Sequence, residues 1–116
     1  MAVFQKVEWN DEAGTLLKKA MPPAEMPWLE SNVKSGRLGL YRHEKGFAVL
    51  GCDDEDLVIV AMSGRDMIDD VVRFTEALAY LNGFKKIRFH TKRPGFFKIC
   101  PKHNFVFREY VFERFL

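Results

Sequence analysis

The stretch that most restricts the fold is residues 56–91, which reads strand, turn, helix, strand. Leu57, Val58, Ile59, Val60, Ala61 and Met62 form an unbroken apolar run, the pattern of a strand covered on both faces. Ser63, Gly64 and Arg65 interrupt it. Asp66 is the expected N-cap of the next helix, and Asp69 and Asp70 place negative charge at the positive end of its dipole. Met67, Val71, Phe74, Leu78 and Leu81 recur at helical spacing and predict one apolar stripe. Asn82 and Gly83 stop the helix with a residue that tolerates left-handed dihedrals. Lys85, Lys86, Ile87, Arg88, Phe89 and His90 then resume as a strand. A helix of this length between two strands predicts a parallel pair with a right-handed crossover. Such a unit opens a crevice at the carboxyl ends of its strands, where ligands bind in open sheets.

The remaining chain supplies one more layer of structure and no second domain. At 116 residues it is long enough for one core. Residues 2–7 predict a short strand, and Asn10 or Asp11 caps a helix with Ala13, Leu16, Leu17 and Ala20 on one face. Met21, Pro22 and Pro23 end that helix, because proline clashes with the preceding turn. A second short helix is expected over 27–34, with Trp28, Leu29 and Val33 as its apolar residues and Gly36 closing it. Residues 38–41 and 47–50 predict a hairpin, with Gly46 supplying a positive φ in the turn. The acidic run Asp53-Asp54-Glu55-Asp56 reads as a solvated tight turn, and its spacing is not that of a calcium loop. Beyond the crossover, Pro94 and Gly95 open a two-turn helix with Phe96, Phe97, Ile99 and Cys100, and residues 105–116 read as a strand.

Charge narrows the function classes. Eighteen basic and sixteen acidic side chains leave a net charge of +2, too little for a general nucleic-acid field. The local basic cluster of Lys85, Lys86, Arg88, His90, Lys92, Arg93, Lys98 and Lys102 reads either as a solvated rim or as a phosphate contact. Nucleic-acid binding, with Phe96 and Phe97 as stacking faces, is the weakest of the functional readings. Cys52 and Cys100 lack zinc-ligand spacing and read as buried thiols of a reducing compartment; no metal site is expected. No apolar run reaches transmembrane length and no signal-peptide core is present, so the expected location is cytoplasmic.

The order of elements resembles that of the GNAT N-acyltransferases: a strand, two short helices, an antiparallel hairpin, a central strand, a crossover helix, a parallel strand, a short helix and terminal strands. Its most similar part is Leu81-Asn82-Gly83-Phe84-Lys85-Lys86-Ile87-Arg88-Phe89 followed by Phe97-Lys98-Ile99-Cys100-Pro101-Lys102-His103-Asn104-Phe105. The second piece looks like the family's leucine-tyrosine-x-lysine-x-glycine-phenylalanine segment, with Ile99, Lys102 and Phe105 in the leucine, lysine and phenylalanine places. The resemblance implies an α/β (α+β) fold. It would be a single GNAT-like domain over residues 1–116, with a mixed, mostly antiparallel sheet, a central parallel strand pair and helices on both faces. Residues 1–36 would hold the first strand and two helices, 37–62 the antiparallel strands, 63–91 the crossover helix and parallel strand, and 92–116 the last helix and strand.

The same resemblance implies a cofactor, acetyl-CoA or CoA, whose pyrophosphate sits on bare backbone N–H groups at the start of the crossover helix. Ser63, Gly64 and Arg65, with Arg93, fall in the cofactor-binding places. Cys100 takes the position of the tyrosine that protonates the leaving thiolate, and Arg93 that of an asparagine. His43, Glu44, His90 and His103 are the proton acceptors available, and His90, at the carboxyl end of its strand, is the best placed. Asp66, Asp69 and Asp70 set carboxylates beside the pyrophosphate place. One terminal strand stands where the family has a hairpin. Two readings follow from the resemblance. In one, the fold has lost acyl transfer and serves as a binding or assembly protein, as a homodimer or with a virion partner docked on residues 105–116. In the other it is an active acetyl-CoA-dependent N-acyltransferase, with residues 57–62 pairing with the pantetheine arm. Short GNAT-like proteins of bacteriophages look similar in the piece Lys92-Arg93-Pro94-Gly95-Phe96, which would place such a protein in the virion or the host cytoplasm.

Overall fold

A computed structural model of the chain describes residues 3–89. The sheet is built around β4 (Asp56–Gly64), whose apolar run is buried on both sides. It is preceded by β1 (Gln5–Val7), α1 (Asp11–Leu17), α2 (Met26–Lys34), β2 (Gly39–His43) and β3 (Gly46–Asp53), and followed by α3 (Ile68–Asn82) and β5 (Lys86–Phe89). The strand order is β1-β2-β3-β4-β5. The first three pairings are antiparallel, whereas β4 and β5 run parallel, with Asp56 opposite Lys86 and Ile59 opposite Phe89. The parallel, adjacent strands expected on either side of the crossover helix are therefore present.

Two separate cores cover the two faces of the sheet. On one side Phe4, Ala48, Leu50, Leu57, Ile59, Met67, Val71 and Ala79 pack together, with Phe74 and Leu78 of α3 against them. On the other, Ala13 and Leu17 of α1 and Leu29 and Val33 of α2 meet Leu40, Phe47, Val49 and Ala61. Leu17 and Leu29 are fully buried, each contributing roughly 1.5–3 kcal/mol by removal from water. The change of face along β4 is made by a bulge: Val49 pairs with Ala61 and Leu50 with Ile59, so Val60 is the extra residue. Leu57 and Ile59 face α3. Past the bulge Ala61 faces α1 and α2.

Local signals explain most element ends. Asn10 caps α1, its Oδ1 accepting the Ala13 N–H at 2.9 Å. The crossover helix ends on Gly83 at φ +73, as its sequence predicts. It begins differently. Met67 is the N-cap residue, without a side-chain cap, and Asp66 stands outside the helix at φ +55. Met67 is almost fully buried, so packing of that side chain places the helix start. The expected stripe shifts accordingly: Val71, Thr75 and Ala79 are buried while Leu81 is 78% exposed. Thr75 sits in this apolar face because its hydroxyl donates back to Val71 O and Val72 O within the helix. Trp28, an expected apolar contact of α2, is 53% exposed. Cys52 is exposed rather than buried. Cys100 lies outside the described residues, as does the whole segment 90–116.

The hairpin is tighter than the sequence suggests. His43 pairs with Gly46, leaving a two-residue turn of Glu44 and Lys45. Gly46 does not supply a positive φ; it is required by lack of space. A Cβ there would lie 1.8 Å from the Ser63 carbonyl oxygen on β4. Gly46→Ala should therefore cost roughly 3 kcal/mol or more, because backbone would have to move. Gly83→Ala, with open space but a left-handed φ, should cost only about 1–2 kcal/mol. Equilibrium urea unfolding of the two variants tests the contrast.

Candidate functional site

The candidate site is the junction where β4 ends and α3 begins. β5 pairs with β4 only at Asp56, Leu57, Val58 and Ile59 among the described residues. Of the main chain expected to meet a pantetheine arm, residues 57–59 are thus paired with β5. The bulge at Val60 lies directly beyond the paired part. Gly64 follows with φ +155, and a Cβ on it would meet the Met67 sulfur at 2.3 Å and the Lys45 carbonyl oxygen at 2.7 Å. The glycine is needed there so that Met67 can tuck under the turn. No side chain caps α3, so the amides of its first turn face outward with the positive end of the helix dipole.

The charges around this turn are divided between the surface and the interior. Arg65, Asp66 and Asp69 are exposed. Lys45 reaches over from the hairpin, its Nζ donating to the Asp66 carbonyl oxygen at 3.4 Å. Asp70 turns the other way: its Oδ2 lies 2.8 Å from Nε2 of His43, whose side chain is 1% exposed. The other ring nitrogen, Nδ1, accepts the Lys45 N–H at 3.0 Å. With Nδ1 an acceptor, the imidazole carries its proton on Nε2 and donates it to Asp70. A lone pair already engaged in this way cannot take a proton from a substrate without breaking the turn, so His43 is not placed as a general base. Phe4 seals the pair, its ring centroid 4.9 Å from the imidazole and 4.7 Å from the Phe74 ring. His43 was among the four proton acceptors that the sequence offers. Its partner was not legible there, because the two are 27 residues apart.

Ser63 has its side chain on the opposite face, where the hydroxyl donates to Leu16 O at 2.6 Å and satisfies a carbonyl at the end of α1. Only its main chain belongs to the β4–α3 turn. Gly64 and Arg65 stand together in that turn. His90, Arg93, Cys100 and His103 lie outside the described residues.

The acidic turn between β3 and β4 is a docking clamp for β5. Arg88 bonds to Asp53 and lies 3.0 Å from Asp56, and Lys85 pairs with Glu55 at 3.2 Å. The Lys85 N–H also donates to Glu55 O at 2.9 Å. Two members of the basic cluster are thereby committed to structure. No group of three or more His, Cys, Asp or Glu side chains among the described residues is arranged to hold a metal ion. Nor is any helix among them long and apolar enough to cross a membrane.

Together these features define a fold class: an α+β domain with the GNAT arrangement, in which a central strand hands over to the crossover helix beside a parallel neighbour. The particular likeness is to an acetyltransferase of Bacillus subtilis solved in complex with CoA, with a TM-score of 0.73, 18% identity, and coverage of 95% of this chain and 88% of that one. At this identity the likeness establishes the fold. No protein-family model and no curated protein matches the sequence.

Two outcomes follow from the buried side chains. Asp70→Ala leaves the Nε2–H of His43 without an acceptor in a buried place and should cost roughly 1–3 kcal/mol, whereas Asp70→Asn keeps an acceptor oxygen and should cost less. Thermal unfolding of both variants decides this. The Tyr41 phenol is pushed above its ordinary value of 10.0, first by burial and then by the charge of nearby Cys52. The unfolded chain therefore loses this proton before the folded one does. The Tyr41 contribution to stability is intact below pH 10.0 and declines as pH rises through the folded value. Ultraviolet titration should show one tyrosinate ionising late, and that step should vanish in Tyr41→Phe.

Proposed function

We propose that this domain keeps the acyltransferase frame but works by binding a partner, as an assembly component of bacteriophage type, and does not transfer acyl groups. The observation that carries this reading is the charge at the β4–α3 turn. Asp66 and Asp69 are both exposed there beside Arg65, the position in which a pyrophosphate would have to sit. Two like charges 4 Å apart repel by about 1 kcal/mol in water and about 4 kcal/mol near a protein surface. The side chain of Ser63 is engaged with α1. Cys100 in the tyrosine place and Arg93 in the asparagine place support the same reading from sequence alone. The bacteriophage affiliation, with its virion or cytoplasmic location, rests on residues 92–96. A homodimer or virion contact through residues 105–116 belongs to the proposal on the same footing.

A second reading, an acetyl-CoA-dependent N-acyltransferase, is favoured by one specific observation. The turn after β4 leads into α3 with no side-chain cap at its start, and the similar Bacillus subtilis structure was solved in complex with CoA. In that reading Gly64, Arg65 and Arg93 hold the pyrophosphate. His90 accepts the proton of the amine and Cys100 returns one to the thiolate. Titration calorimetry with CoA separates the two. The proposed function expects no heat at millimolar ligand. Micromolar binding that Arg65→Glu abolishes would overturn it and establish the second reading.

A further inference from the structure

We propose that His43 is a proton-operated latch between the tip of the β2–β3 hairpin and the start of α3. Among the described residues, each neighbouring element brings a defined partner to the imidazole. From the segment before β1 comes the Phe4 ring, opposite His43 in the register that pairs Gln5 with Arg42. From β3 comes Gly46, which has no side chain to offer. From α3 comes Asp70, the charged group that touches the ring, at 2.8 Å from Nε2. From the turn comes the main-chain N–H of Lys45, at 3.0 Å from Nδ1, while the Lys45 ammonium leans away toward Asp66 O. Tyr41, two residues earlier on the same face, is held as a neutral phenol at any pH at which histidine titrates.

This set of bonds accepts only a neutral ring protonated on Nε2. A second proton would be placed on Nδ1, where it meets the N–H of Lys45, so that two donors face each other and the bond is lost. The Asp70 bond survives and gains full opposite charge. Acidification therefore keeps His43 attached to α3 and detaches it from the hairpin tip. The tip depends on that attachment. Neither Glu44 nor Lys45 has a positive φ, so the two-residue turn lacks the left-handed geometry that matches the twist of the strands. The imidazole acceptor holds the turn in its place.

Release of the tip is transmitted to the β4–α3 turn by two contacts already described. The Lys45 ammonium is bonded to the carbonyl of Asp66, and the Lys45 carbonyl is packed against Gly64. Residues 64–66 are thus ordered with the hairpin when His43 is neutral and lose one support when it is protonated. The latch is independent of whether that turn binds a cofactor.

Nuclear magnetic resonance on the full chain tests it. Long-range correlation of the histidine ring nitrogens reports the tautomer, with His43 assigned by the loss of the other two signals in His90→Gln and His103→Gln. At about pH 8 the Nδ1 of His43 should be unprotonated and the Lys45 amide protected from exchange. As pH falls, Nδ1 should gain its proton and Lys45 protection should drop by about tenfold or more with the same midpoint. His43→Phe, where it folds, should show a Lys45 amide that is unprotected at both ends of the range. An Nδ1-protonated ring at about pH 8, a ring that stays neutral until the protein unfolds, or Lys45 protection unchanged through the His43 step would each overturn the latch.

Discussion

The burial of β4 on both faces is the constraint from which the rest of the structure follows. A strand covered on both sides must be hydrogen-bonded on both edges, or else end. β3 pairs along one edge, Gly46 with Gly64 through Asp53 with Asp56. β5 pairs along the other, from Asp56 to Ile59. The bulge at Val60 then lets Ala61 enter the second core while Met62 still reaches the first. Without the extra residue, the pleat would carry Ala61 to the α3 side and leave α1 and α2 without their contact. One inserted residue thus aligns two cores.

How much of this was legible in the sequence depends on the range of the interaction responsible. The parallel pair and the burial of β4 on both faces could be read because apolar patterning is a property of consecutive residues, while the mixed, mostly antiparallel sheet was implied by the resemblance. The Asn10 cap and the Gly83 stop are equally local. The failures are all long-range. Gly46 reads as a turn glycine, yet its reason is the carbonyl of Ser63 on the next strand. Asp66 reads as a cap, yet burial of Met67 one residue later fixes the helix start. Leu81 fits the helical stripe, yet it is exposed, since burial on α3 follows Val71, Thr75 and Ala79. Gly64 and Arg65 lie in the β4–α3 turn, while the His43–Asp70 pair beneath it carries no motif.

The acidic residues show most plainly why a count of charges misleads. Read along the chain, seven carboxylates between Asp53 and Asp70 weigh against any anionic ligand. In the structure they belong to separate tasks. Asp53, Glu55 and Asp56 hold Lys85 and Arg88 and so seat β5 in register. Exposed pairs of this kind contribute little singly, roughly 0–1 kcal/mol, but here they act together on β5. Asp54 takes the left-handed corner of that turn at φ +54. Asp70 is turned beneath the helix toward His43. Two of the seven, Asp66 and Asp69, then stand exposed at the outer mouth of the β4–α3 turn. What bears on a bound pyrophosphate is therefore the pair of exposed carboxylates, Asp66 and Asp69, flanking the turn that carries Arg65, and not the acidity of the segment as a whole.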